Sequence, residues 1–116
     1  SDDQTFNENT DQDAEWLLRL KGYIETNGGH MNFGLKDILT EFGISKSSLY
    51  RRIKELTGMS PLDFIREIKL QKARRLVQNK EVSSLKELTY NLGFQKVTYF
   101  IRLYEGRFVV RPDVCD

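Results

Sequence analysis

The chain has 116 residues, enough for one domain or for two very small ones that share a helix. Hydrophobic residues make up 39% of it, sufficient for a modest core, while its one cysteine, Cys115, excludes an internal disulfide and a cysteine-based zinc site. The net charge of +1 conceals a partition, with six carboxylates and no cation in residues 1–15 but ten basic and three acidic side chains in residues 45–80.

The acidic segment 1–12 reads as a flexible linker, or partly appended sequence, outside the fold. No segment alternates polar and apolar residues over strand length, so an all-α chain is predicted. A first helix is expected from about Asp13 to Thr26, where Trp16, Leu17, Leu20, Tyr23 and Ile24 recur at helical spacing before Asn27-Gly28-Gly29 stops it. His30, the only histidine, follows as a loop residue rather than a metal ligand. A short second helix runs from about Leu35 to Phe42, and Gly43 makes the turn that needs positive φ. Ser45 is the expected N-cap of a third helix ending near Thr57, with Gly58 as its stop. On this helix Leu49, Ile53 and Leu56 form the inward face by periodicity. Lys46, Ser47, Tyr50, Arg51 and Lys54 form the outward one.

Ser60-Pro61-Leu62-Asp63 starts a fourth helix with a capping serine, proline at the first helical position and a carboxylate in place of the usual capping-box Glu. Reaching about Asn79, it carries Phe64, Ile65 and Ile68 on one apolar face, then Leu70, Ala73, Leu76 and Val77 on another, so each end can pack its own bundle. Ser84 and Glu87 start the fifth helix. The sixth runs from about Val97 to Arg107, and residues after Pro112 allow at most one further turn. The domain boundaries are then a first subdomain at 13–59, a linker helix at 60–80 and a second subdomain at 81–116.

The two subdomains repeat each other. Leu35-Lys36-Asp37-Ile38 through Gly43-Ile44 keeps step with Leu85-Lys86-Glu87-Leu88 through Gly93-Phe94 at an offset of 50 residues. Beyond Gly93 the offset is 51: Leu49 faces Phe100, Arg51 faces Arg102, Ile53 faces Tyr104 and Pro61 faces Pro112. Two copies are too few for a solenoid. A duplicated helix-turn-helix instead fits two similar readers of a periodic partner, and DNA repeats at about 34 Å per turn. The basic middle of the chain is the footprint that attracts a polyanion.

The run Ile44-Ser45-Lys46-Ser47-Ser48-Leu49-Tyr50-Arg51-Arg52-Ile53-Lys54-Glu55-Leu56-Thr57-Gly58-Met59-Ser60-Pro61, then Phe64-Ile65-Arg66 and Lys69-Leu70-Gln71-Lys72-Ala73, resembles the AraC/XylS family of bacterial transcription regulators. Leu92-Gly93-Phe94, Tyr99-Phe100 and Arg102 extend the resemblance over roughly residues 13–116. Its wording is most like the C-terminal output domains of Bacteroidetes hybrid two-component regulators, which commonly control polysaccharide-utilisation genes.

The resemblance implies a homeodomain-like, all-α fold of two helix-turn-helix subdomains bridged by a long central helix, binding double-stranded DNA. It implies base reading by Ser47, Tyr50 and Arg51 in the first unit and by Thr98, Ile101 and Arg102 in the second, with Lys46, Lys54 and Lys96 on phosphates. Further implied partners are RNA polymerase and sensor or receiver domains on the same polypeptide. No cofactor, metal or small-molecule ligand is expected in this domain.

The second half departs from the family pattern. Leu39 and Thr89 stand where the family usually has Ala. Tyr104-Glu105-Gly106 replaces Phe-Lys-Lys, Val109 replaces the Gly of the closing turn, and Lys96 replaces a capping Asp or Ser. The first reader thus looks intact and the second weakened. The competing reading is a protein-interaction module descended from a helix-turn-helix. An enzyme is the third reading, opposed by the lack of a metal-ligand cluster, a Cys-His or Ser-His pair at useful spacing, or a phosphate-cradling glycine loop. No apolar stretch approaches the roughly 18 residues of a membrane span, and a cytoplasmic location is expected.

Overall fold

The structure is a computed structural model that describes the backbone of residues 2–114 and the side chains from residue 11. Cys115, the one cysteine, lies outside the described residues. Among the described residues six helices follow in order: α1 (Asp2–Asn27), α2 (Leu35–Phe42), α3 (Lys46–Thr57), α4 (Pro61–Gln78), α5 (Leu85–Asn91) and α6 (Val97–Phe108). Among the described residues there is no strand, and no helix is long and apolar enough to cross a membrane.

Five of the six helices lie where periodicity and caps put them. The exception is α1, which begins at Asp2 and takes in the segment expected to be linker. No Gly or Pro interrupts residues 2–21, so the helical register of the packed half carries back along the acidic segment. Ser45, Ser60 and Ser84 each accept a hydrogen bond from the amide three residues on, capping α3, α4 and α5. The reciprocal arms of the expected capping boxes go elsewhere. Asp63 faces Arg66 at 3.5 Å, and Glu87 accepts from the amide and hydroxyl of Ser83.

The central helix has the two faces read from its sequence. Phe64, Ile65 and Ile68 join Leu20, Ile24, Ile38, Leu49 and Ile53 in the first core. Leu70 and Ala73 join Leu88, Leu92, Phe100 and Tyr104 in the second. Each fully buried large side chain of this kind contributes about 1.5–3 kcal/mol. Leu56, expected inside, is only half-buried and stands outside the first cluster.

Both turns close alike. The Ile44 amide donates to the Leu39 carbonyl at 3.2 Å, and the Phe94 amide to the Thr89 carbonyl at 3.1 Å. Thr89, larger than the alanine expected there, is fully buried and spends its hydroxyl on the Leu85 carbonyl at 2.7 Å, leaving no unmatched polar group. Leu39 packs half-buried against the first core.

The two units also meet away from α4. A β-carbon on Gly29 would lie 2.2 Å from the Asn91 carbonyl oxygen, and one on Gly93 would lie 2.4 Å from that of Gly28. Gly28-Gly29, read from sequence as a helix stop alone, is therefore also where the α1–α2 loop and the α5–α6 turn press backbone to backbone.

Candidate nucleic-acid interface

Helix α3 buries Leu49 and Ile53 completely, and this fixes which residues face outward. Lys46, Ser47 and Arg51 are exposed and Tyr50 is half-buried, with the Lys46 ammonium 5.9 Å from the Tyr50 ring centroid. Ser45 accepts from the Ser48 amide at 3.3 Å and donates to the Ser48 hydroxyl at 2.9 Å, so the outward face starts from a rigid helix end. Lys54 is exposed, but its Nζ donates to the Gly58 carbonyl at 2.9 Å, closing the far end of the same helix. The adjacent arginines have separate roles. Arg51 projects outward, whereas Arg52 pairs with Asp13 at 3.4 Å and lies 4.2 Å from the Trp16 ring centroid, tying α3 to α1.

Helix α6 offers Thr98 and Arg102 on an exposed stripe that continues to Glu105 and Gly106. Arg102 lines a shallow groove between α6 and α4 together with Arg66, Leu103 and Gly106. Ile101, expected to be a base-facing residue, is half-buried and packs against the second core. That leaves only part of its side chain available to a partner. Lys96 occupies the extended N-cap position and offers no side-chain cap, as its chemistry requires.

The C-terminal end of α6 is held more firmly than its sequence shows. Arg107 donates from Nε and Nη2 to the two carboxylate oxygens of Glu67 at 2.8 and 2.9 Å. This fork keeps the Glu67 carboxyl below the usual glutamate range. Phe108 lies edge-on to Tyr104 at 4.8 Å, with the guanidinium groups of Arg74 and Arg107 at 4.9 and 5.0 Å from its ring. Glu67 and Arg107 are 40 residues apart, and no local pattern links them. Val109 closes the helix with φ = 65°, a left-handed backbone on a β-branched residue.

The basic central block proves largely structural. Lys69 is half-buried 5.4 Å from the Phe94 ring, and burial lowers its pKa. Lys72 donates to the Glu25 carbonyl at 2.7 Å, and Arg75 pairs with the Glu25 carboxylate at 3.6 Å. Arg52, Arg66 and Arg74 are engaged as described. The cations of this block left to face a polyanion on the first unit are Lys46, Arg51 and Lys54, whose ammonium keeps two donors beyond the one given to the Gly58 carbonyl, a tighter footprint than the raw charge count implies.

Residues 38–114 match the helix-turn-helix domain family. A histidine kinase of Formosa agariphila is 27% identical over 100 residues, 86% of this chain and 7% of that protein. The crystal structure of a DNA-binding transcriptional dual regulator from Escherichia coli K-12 superposes with a TM-score of 0.70 at 26% identity, covering 81% of this chain and 82% of that one. The xylose-binding transcription activator XylR superposes with a TM-score of 0.66 at 28% identity, over 79% of this chain and 24% of that one. The chain thus spans a small share of the kinase and of the activator.

Proposed function

The chain belongs to the AraC-type helix-turn-helix family of DNA-binding transcription regulators, and from that premise we propose that it reads specific double-stranded DNA as the output domain of a longer regulator. Helices α3 and α6 enter successive major grooves on one face of the duplex. The carrying observation is that both helices turn an exposed polar stripe outward, Ser47 and Arg51 on α3 and Thr98 and Arg102 on α6, from opposite ends of α4. At 18 residues, α4 spans about 27 Å, a length suited to placing two readers near one DNA turn apart.

Arg51 and Arg102 are the guanine-pairing candidates, Ser47, Tyr50 and Thr98 the shorter-range contacts, and Lys46, Lys54 and Lys96 the phosphate anchors. Ile101 contributes at most an apolar edge to a thymine methyl. The similarity to a histidine kinase supports placement downstream of sensor or receiver domains on one polypeptide. The likeness to a xylose-binding transcription activator supports a role as an activator, for which we propose carbohydrate-utilisation genes as the target and RNA polymerase as the partner.

Binding selection from random duplexes, followed by titration across salt, tests this. The expected result is an enriched bipartite site and a log–log salt slope of about −0.9 per phosphate neutralised. Lys54→Ala should weaken binding to all sequences alike and flatten the slope by about one unit.

A protein-interaction module is the second reading. It is favoured by Met31, Tyr90 and Tyr99, which leave 89%, 49% and 41% of their surface exposed. Absence of DNA binding at low salt selects it.

A further inference from the structure

We infer that the contact between the α1–α2 loop and the α5–α6 turn locks the two readers at one separation and phase, making Gly29, Gly93 and Lys69 positioning residues that set operator spacing. This rests on the DNA-reading function proposed above, and goes beyond it. Helix α4 joins the two bundles through two separate cores, so along that helix neither bundle touches the other's core. The second contact, off the α4 axis, ties one bundle directly to the other.

The contact is closer than side chains allow. Real β-carbons do not approach carbonyl oxygens to 2.2 or 2.4 Å, so Gly29 against Asn91 and Gly93 against Gly28 exist only as glycines. Gly93 also carries φ = 83°, which sets the turn leading into α6. Lys69 reaches over this junction from the middle of α4. A β-carbon on Gly28 would lie 3.3 Å from its Cε, and one on Gly93 would lie 3.3 Å from its Nζ. The same side chain faces the Phe94 ring. Next to it Lys72 holds the Glu25 carbonyl in the last turns of α1. One helix thus grips the end of α1 and the start of the α6 turn across a junction of bare backbone.

The functional consequence concerns the gap between half-sites. One inserted base pair moves the second half-site by about 3.4 Å and turns it by about 35°. Two readers on a flexible joint absorb that displacement. Two locked readers lose one half of their contacts.

Two measurements on the same protein test the inference. In a Cys115→Ser background, spin labels at the exposed positions of Ser47 and Thr98 report the distance between readers without DNA. The wild-type junction should give one narrow distribution, and Gly29→Ala should broaden or shift it. Lys69→Met keeps the stem without the ammonium and serves as the second variant, with circular dichroism confirming helix content in both.

On DNA, the wild-type chain should bind the selected operator at least about tenfold more tightly than versions with one base pair added or removed. Gly29→Ala should bind more weakly overall and reduce that ratio to about threefold or less. A broad wild-type distance distribution overturns the lock whether or not DNA binds. Tolerance of spacer changes by the wild type, or undiminished spacing discrimination in both folded variants, also overturns it. A narrow distance together with no binding to any duplex supports the lock and removes the DNA-reading function instead.

Discussion

Replacing Val109 by glycine should stabilise the protein. Val109 closes α6 with φ = 65°, and Gly58, 51 residues earlier, closes α3 with φ = 78°. The two caps make equivalent hydrogen bonds at 2.8 Å, from Val109 to the Glu105 carbonyl and from Gly58 to the Lys54 carbonyl. Their difference is therefore the β-branched side chain in a left-handed backbone, which costs about 1–2 kcal/mol. Val109 is 87% exposed, so its removal gives up almost no burial. Glycine's extra freedom in the unfolded chain takes back about 0.5–1 kcal/mol. Taking the middle of each range, the net gain for Val109→Gly is about 0.75 kcal/mol, or roughly 3 °C in Tm for a domain of this size. The reciprocal Gly58→Val should lose a similar amount, because a β-carbon there meets nothing within 4 Å and the penalty is conformational alone. Urea and thermal unfolding of both variants against the wild type provide the assay. A Val109→Gly protein that melts at or below the wild-type temperature would refute the strain argument.

Arg51→Ala should lose most of the specific affinity, at least the 1–3 kcal/mol or so of a bidentate arginine–guanine pair, and relax one half of the site. Arg102→Ala should lose under about 1 kcal/mol, because its helix starts uncapped at Lys96. Equal losses in titrations against one operator would show that the Arg107–Glu67 anchor alone makes α6 a full reader. Ala73 is completely buried against the second core, so Ala73→Glu should cost several kcal/mol; a melting temperature within a few degrees of the wild type would contradict that packing. Glu67 has a folded pKa below the 4.5 of a free glutamate because Arg107 holds its charged form. Its contribution is thus complete above that value and is lost as pH falls through the lower folded one. The stability gap between wild type and Glu67→Gln should therefore close on acidification below about pH 4.5, and a gap independent of pH down to full acid unfolding would show that the pair contributes nothing.

Helix positions, caps and the two faces of α4 were legible in the sequence because each depends on residues within a turn or two. Ser45, Ser60 and Ser84 cap the helices they precede, and Phe64 and Ala73 fall in separate cores as their spacing requires. The duplication was legible for the same reason, down to a closing turn in which Val109 stands at the position of Gly58. Which cations are free was decided only by the tertiary structure. Arg51 and Arg52 are neighbours of the same type, yet one is exposed and the other lies against Trp16, since a residue's outward or inward direction depends on what packs beside its helix. Ile101 drew toward the core, and Arg107 found Glu67 forty residues away. Gly28-Gly29 shows the limit most clearly. A glycine pair after a helix has a sufficient local explanation as a stop, and its contact with the Asn91–Gly93 turn exists only once both units have folded onto α4.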